Sequence, residues 1–232
     1  MTDTPMPMAR EVFHFYTRVH LRALTGIKIK NLRELLEHVK TVPGSVIYHH
    51  THHYLQQHQL LTPEPPNDFA YWVTEALNEI ELGEKLTSIN TCEFPSIRAL
   101  REKIADTIEK HMEKSKHPLK EANEGQEFYL MKSISFVLPT PYSAQTLQEF
   151  VEILKKVSVH SIYYHMFEAK LRLEKGVNDF SLWLETSLDM PDLAKKIARL
   201  DPYTHTMEGL REKILHMCGL AMAKSTPPRE AN

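Results

Sequence analysis

The chain has 232 residues, 42% hydrophobic and 25% charged, with a formal net charge of −2, only 7 glycines and 14 histidines. This is a water-soluble composition of one large or two small domains, and its near-neutral balance supplies no basic field for phosphate backbones, so no nucleic-acid partner is expected. Cys92 and Cys218 make no disulfide framework, Met1 to Arg10 has no basic-then-apolar leader pattern, and no apolar run approaches the roughly 20 residues of a membrane helix; a cytoplasmic chain without a membrane partner is expected.

The first element, Phe13 to Leu24, places Phe13, Phe15, Thr17, Val19 and Leu21 on one side, as in a strand; Gly26 would equally close a helix, so both readings stand. A helix over Lys30 to Val42 carries Leu32, Leu35, Leu36 and Val39 at helical spacing and stops at Pro43-Gly44. Ser45 then occupies an N-cap position and opens a histidine-bearing helix. After the stiff loop Thr62-Pro63-Glu64-Pro65-Pro66, Asn67 or Asp68 caps a helix with Phe69, Trp72, Val73 and Ala76 on its apolar face. A helix over about Glu81 to Ile89 follows, and Ser96 caps another with Ile97, Leu100, Ile104 and Ile108. In the second half Ile134, Phe136 and Leu138 alternate, Ser143 caps a helix bearing Leu147, Phe150, Val151 and Leu154, and Ser161 opens the next.

Strings recur in order along the chain. Phe15-Tyr16 returns as Phe128-Tyr129, Ser45-Val46-Ile47-Tyr48-His49 as Ser161-Ile162-Tyr163-Tyr164-His165, and Asn67-Asp68-Phe69 with Trp72 as Asn178-Asp179-Phe180 with Trp183. Leu100-Arg101-Glu102-Lys103-Ile104 is identical to Leu210-Arg211-Glu212-Lys213-Ile214. The implied fold class is mainly α: two tandem homologous helical units packed about a pseudo-two-fold axis, with a short strand allowed in each. The units are residues 11–112 and 128–220, joined by a polar linker at 113–127 and followed by a flexible tail at 221–232 that contains Pro227-Pro228.

Five of the histidines lie between His49 and His58. On a helical wheel His49, His52 and His53 share one face at i, i+3, i+4 spacing, while His50 and His58 fall on or beside the apolar stripe and read as buried, singly satisfied histidines. Two or three imidazoles one turn apart can hold one transition-metal ion, and His165 with Glu168 offers a nitrogen and a carboxylate at i, i+3 in the second half. This mixed set suits iron, manganese, zinc or nickel, and metal binding by these five residues is the leading functional expectation. The bland reading is a solvated or hydrogen-bonded histidine face in a non-enzymatic interaction or regulatory module, with a protein partner or a second copy of the chain, or a small-molecule ligand of unknown identity. A third reading, an all-α metal-dependent hydrolase, needs Asp68 or Asp179 as a ligand, although both positions suit helix caps better. Tyr48 and Tyr164 either orient the adjacent histidines or pack. No glycine-rich phosphate loop and no Gly-x-Ser-x-Gly elbow is present.

The run from Ser45 to Tyr54, with Asn67-Asp68-Phe69-Ala70-Tyr71-Trp72, Ser161-Ile162-Tyr163-Tyr164-His165 and Asp201-Pro202-Tyr203-Thr204, resembles an uncharacterised bacterial domain-of-unknown-function family, number 5752. The likeness spans nearly the whole chain. It implies no activity, cofactor or site residue.

Overall fold

The computed structural model describes residues 7–57, 67–115, 118–169, 177–201 and 204–225, with backbone alone at 53–57, 92 and 225. The Thr62 to Pro66 loop, His58 and the tail past Ser225 lie outside the described residues.

Two long strands organise the chain. β1 (Phe13–Ile29) and β2 (Phe128–Ala144) pair antiparallel as a two-stranded ribbon. Helices α1 (Leu32–Thr41), α2 (Gly44–Gln57), α3 (Asp68–Glu75), α4 (Ile80–Thr87) and α5 (Ile97–Lys114) follow β1. After β2 come α6 (Leu147–Leu154), α7 (Val159–Tyr163) running on into a π-helical segment at Tyr164–Glu168, α8 (Asp179–Thr186), α9 (Pro191–Ala198) and α10 (Met207–Ser225). No described helix is long and apolar enough to cross a membrane.

Local chemistry sets the helix starts. Asn31, Asn67, Ser96, Thr146, Ser158 and Asn178 each accept a backbone N–H of the first turn, which supplies a partner to one of the donors that every helix start leaves open. Of the two candidates for α3, Asn67 is the cap. Three expected starts shift: α2 begins at Gly44, which puts Ser45 inside its first turn; Thr146 caps α6, while Ser143 is still paired in β2; and Ser158 caps α7, accepting the Ser161 N–H.

The mainly α, two-unit expectation is corrected: the fold is α+β. The strands are not short accessories to closed helical units, because neither helical half completes its core alone. Phe13 and Phe15 of β1 pack with Phe150, Phe180 and Trp183, among the helices that follow β2. Phe128 and Leu130 of β2 pack with Ile29 of β1 and with Phe69 and Trp72, among the helices that follow β1. Each core is sealed from the side as well, since Trp183 donates to the Glu11 carbonyl at 2.7 Å and Trp72 to the Gln126 carbonyl at 2.8 Å, just ahead of the two strands.

The strand reading of Phe13 to Leu24 is the one the structure adopts, with a change of face along its length. Register shifts fall between His14 and Tyr16 and between Leu24 and Lys28. Outside them Phe13, Phe15 and Ile29 are buried. Between them the pairs Val19–Phe136 and Leu21–Ile134 are exposed, while Arg18–Val137, His20–Ser135 and Arg22–Ser133 form the opposite side. There Ser133 and the His20 side chain are buried beneath α2 and the π-helical segment. Bulges increase local twist and bend a strand, which suits a ribbon that turns different sides to different neighbours along its length.

A fully buried aromatic shared between strand and helices is expected to cost about 3–5 kcal/mol on truncation to alanine. Phe15→Ala should therefore destabilise the whole chain by that amount in urea denaturation, with a single transition followed by both far-ultraviolet dichroism and tryptophan fluorescence. Two separated transitions would contradict the shared core.

Candidate functional site

At the centre of the molecule α2 and the π-helical segment lie across the polar side of the ribbon. The carboxylate of Glu168 gathers three donors. Arg18 Nη1 lies at 2.6 Å from Oε2, His20 Nε2 at 3.1 Å from Oε1, and the Tyr48 hydroxyl donates to Oε1 as well. His20 continues the chain through Nδ1, 2.8 Å from Ser135 Oγ, and its ring stacks on Tyr48. The Arg18 guanidinium lies over the Tyr48 ring at 5.4 Å. The π-helical segment ends at Glu168, and such wider turns are common where a helix must re-aim a side chain.

Electrostatics follow from burial and these contacts. Burial pushes the Glu168 carboxyl up, but the hydrogen bonds from His20, Tyr48 and Arg18, together with the Arg18 charge, outweigh it and hold the group below the usual glutamate value. Burial and the neighbouring Glu168 charge push the Tyr48 phenol well above its ordinary range, so it stays protonated as a donor. His52, stacked face to face on Tyr48, is driven down to about 4 by burial, which the Glu168 charge and a backbone hydrogen bond with Thr91 only partly oppose. It is therefore neutral near pH 7.

Beside this network opens a cleft of ≈ 550 Å³ lined by Arg18, Gly44, Ser45, Tyr48, Ser133, Ser135, Tyr164 and Glu168, with Ile97 and Val137 as its apolar part. Gly44 and Ser45 are the first turn of α2, whose open N–H groups carry the positive end of the helix dipole. Arg18 Nε is buried and has no hydrogen-bond partner among the described residues.

The expected metal ligands are distributed rather than gathered. His49 is buried, with Nδ1 at 3.1 Å from Ser133 Oγ. His52 Nδ1 meets Thr51 Oγ1 at 2.8 Å. The side chain of His53 lies outside the described residues. His165 uses both ring nitrogens: Nδ1 is 2.7 Å from Asp179 Oδ2, and Nε2 accepts the Tyr16 backbone N–H at 2.8 Å. Glu168 is the centre of the network above. Among the described residues no group of three or more histidine, cysteine, aspartate or glutamate side chains is placed to hold a metal ion. The caps beside Asp68 and Asp179 are Asn67 and Asn178, and each aspartate turns back to a histidine of the preceding helical stretch.

The same clamp occurs at His50, whose Nδ1 is 2.8 Å from Asp68 Oδ2 and whose Nε2 accepts the Met131 N–H at 3.0 Å. His165 therefore corresponds in its contacts to His50, not to His49, and the string match is displaced by one residue at this point. Because Nε2 accepts a backbone proton in both clamps, Nδ1 carries the ring hydrogen and the aspartate fixes that tautomer. Arg18, His20, Ser133 and Ser135 were not singled out from sequence, because polar residues alternating with apolar ones in a strand ordinarily face water. The available signal was the strand alternation itself, with Arg18, His20 and Arg22 opposite Val19 and Leu21.

The model of a family of unknown function, DUF5752, matches residues 10–219, and the chain belongs to that family. A solved structure, that of OrfY from Thermoproteus tenax, is 28% identical and superposes with a TM-score of 0.80 over 94% of this chain and 100% of that one. No curated protein matches.

A buried neutral imidazole ties folding to pH with a definite sign. Below pH 6.5 the unfolded chain protonates His52 while the folded chain does not, until the folded value of about 4 is reached. Stability should fall as pH drops through that window, by about 3 kcal/mol for the full displacement. A His52→Gln variant should lose this part of the pH dependence in denaturant titrations; an unchanged slope would remove His52 as its source.

Proposed function

We propose that this member of a family without an assigned activity is a non-enzymatic regulatory module that binds a small anion-bearing molecule in the cleft between the ribbon and α2. The observation that carries the reading is Arg18. One nitrogen of its guanidinium is committed to Glu168, and the side chain, 26% exposed, borders a cleft with volume for a small molecule. The exposed part of the guanidinium can take an acceptor oxygen of a ligand in a charge-assisted bond. The first turn of α2, with the Ser45 hydroxyl on it, adds donors suited to a carboxylate or phosphate.

Binding is favoured over turnover because the titratable groups are engaged with one another. Glu168 is held ionised by its donors, Tyr48 is held protonated, and His52 is stacked and neutral near pH 7. An acid or base for catalysis needs a value near the working pH, and none of these three is held there. At His165 both ring nitrogens are engaged, so a transition metal there would have to displace Asp179 or the Tyr16 N–H, while His49 and His52 each meet a hydroxyl through Nδ1. The contacts thus favour the regulatory reading over the metal one.

Titration calorimetry and thermal shift of the full chain against inorganic phosphate, pyrophosphate and citrate test the proposal. At least one should bind and raise the melting temperature. Arg18→Lys keeps a cation beside Glu168 but loses the planar fork, so affinity should fall about tenfold or more with little change in the unliganded melting temperature. Binding by none of the three, or equal binding by parent and variant, overturns it.

A further inference from the structure

The ribbon has its sides reversed relative to an ordinary surface sheet. Its polar side is covered by α2 and the π-helical segment at His20, Ser133 and Ser135, with Arg22, Leu24 and Val137 of that side exposed, whereas its apolar side faces outward. Val19, Leu21, Ile134, Phe136 and Leu138 lie on that outward side and are 41–53% exposed. Register makes them one stripe: Val19 faces Phe136, Leu21 faces Ile134, and Thr17 faces Leu138. A two-stranded sheet with a bare apolar side is unfavourable in water, and a patch of this size commonly marks an interface.

We propose that this outward face docks a second copy of the same chain, ribbon against ribbon, to form an isologous dimer. Three observations select that occupant. The stripe holds no charged side chain from Thr17 to Ala23 on β1 or from Ile134 to Leu138 on β2, where Lys132, paired with Ala23, is the first charge met. It therefore displays no charge pattern for a foreign partner to complement, whereas an uncharged apolar face complements itself. The stripe crosses the middle of the ribbon, with the covered ends to either side, so a two-fold axis through the Val19–Phe136 pair brings the same residues into contact from both copies. The exposed side chains together present on the order of 500 Å² per copy, hence about 1,000 Å² in a symmetric pair, the lower size of a specific interface. Facing sheets pack about 10 Å apart, which lets the five side chains of one copy interdigitate with those of the other.

Sedimentation equilibrium of the full chain at micromolar concentration is expected to return twice the monomer mass. Val19→Glu and Phe136→Glu, both at exposed positions, should retain the parent dichroism spectrum and weaken association at least about tenfold. Leu220→Glu, at an exposed position of α10, should leave the dimer intact. A monomeric parent, including one that instead binds anionic or neutral lipid vesicles, overturns the proposal. So does a dimer that survives both ribbon substitutions, or one that Leu220→Glu also dissolves.

Discussion

A two-stranded ribbon has no interior strand, so each of its strands is an edge and its backbone groups need partners from outside the ladder. Five polar side chains along the ribbon answer that need. At the shift near Tyr16, His165 accepts the Tyr16 N–H and Ser161 donates to the Tyr16 carbonyl. On the other strand His50 accepts the Met131 N–H. Thr25 donates to the Leu130 carbonyl while accepting from Ile27, and Thr140 donates to the Phe15 carbonyl while accepting from Tyr142. The bulges that let the ribbon change faces break the ladder, and side chains repair the break where it occurs.

This constraint explains what the histidine count means. An imidazole that must accept from the backbone needs its other nitrogen protonated, and Asp68 and Asp179 enforce that tautomer from the first turn of the following helix. Histidine spacing on one helix carries no information about a strand more than 80 residues away in sequence, such as that of Met131. The face of His49, His52 and His53 was therefore legible as a pattern, while its partners were not. The match of His49 with His165 failed for a related reason: identical letters align strings, whereas His50 is the residue that shares the contacts.

Helices were legible wherever a cap and a periodic apolar face coincided. Ser96 with Leu100, Ile104 and Ile108, and Asn67 with Phe69, Trp72 and Val73, stand where spacing put them, because both signals are local. The fold class was not, since the strands earn their length from contacts made across the chain. Phe13 and Phe15 alternate like a half-buried strand, but nothing nearby in sequence says that they complete a core built around Phe150 and Phe180. Val19 and Leu21 continue the same alternation with opposite burial. Period-two patterning identifies which residues share a side; the identity of the covered side is tertiary.

The choice of covered side has a thermodynamic consequence at the centre. Placing Arg18 and His20 beneath helices obliges the structure to bury a counter-charge, and Glu168 supplies it from the π-helical turn. Such an ion pair rarely stabilises a fold more than apolar packing of the same volume, yet removing one partner strands the others at a cost of about 3–5 kcal/mol. The centre fixes Tyr48, holds one edge of the Arg18 guanidinium and leaves the rest beside the cleft. The apolar residues displaced from that side lie on the other, so the half-used arginine and the bare stripe of Val19 and Phe136 are two results of one inversion of the ribbon.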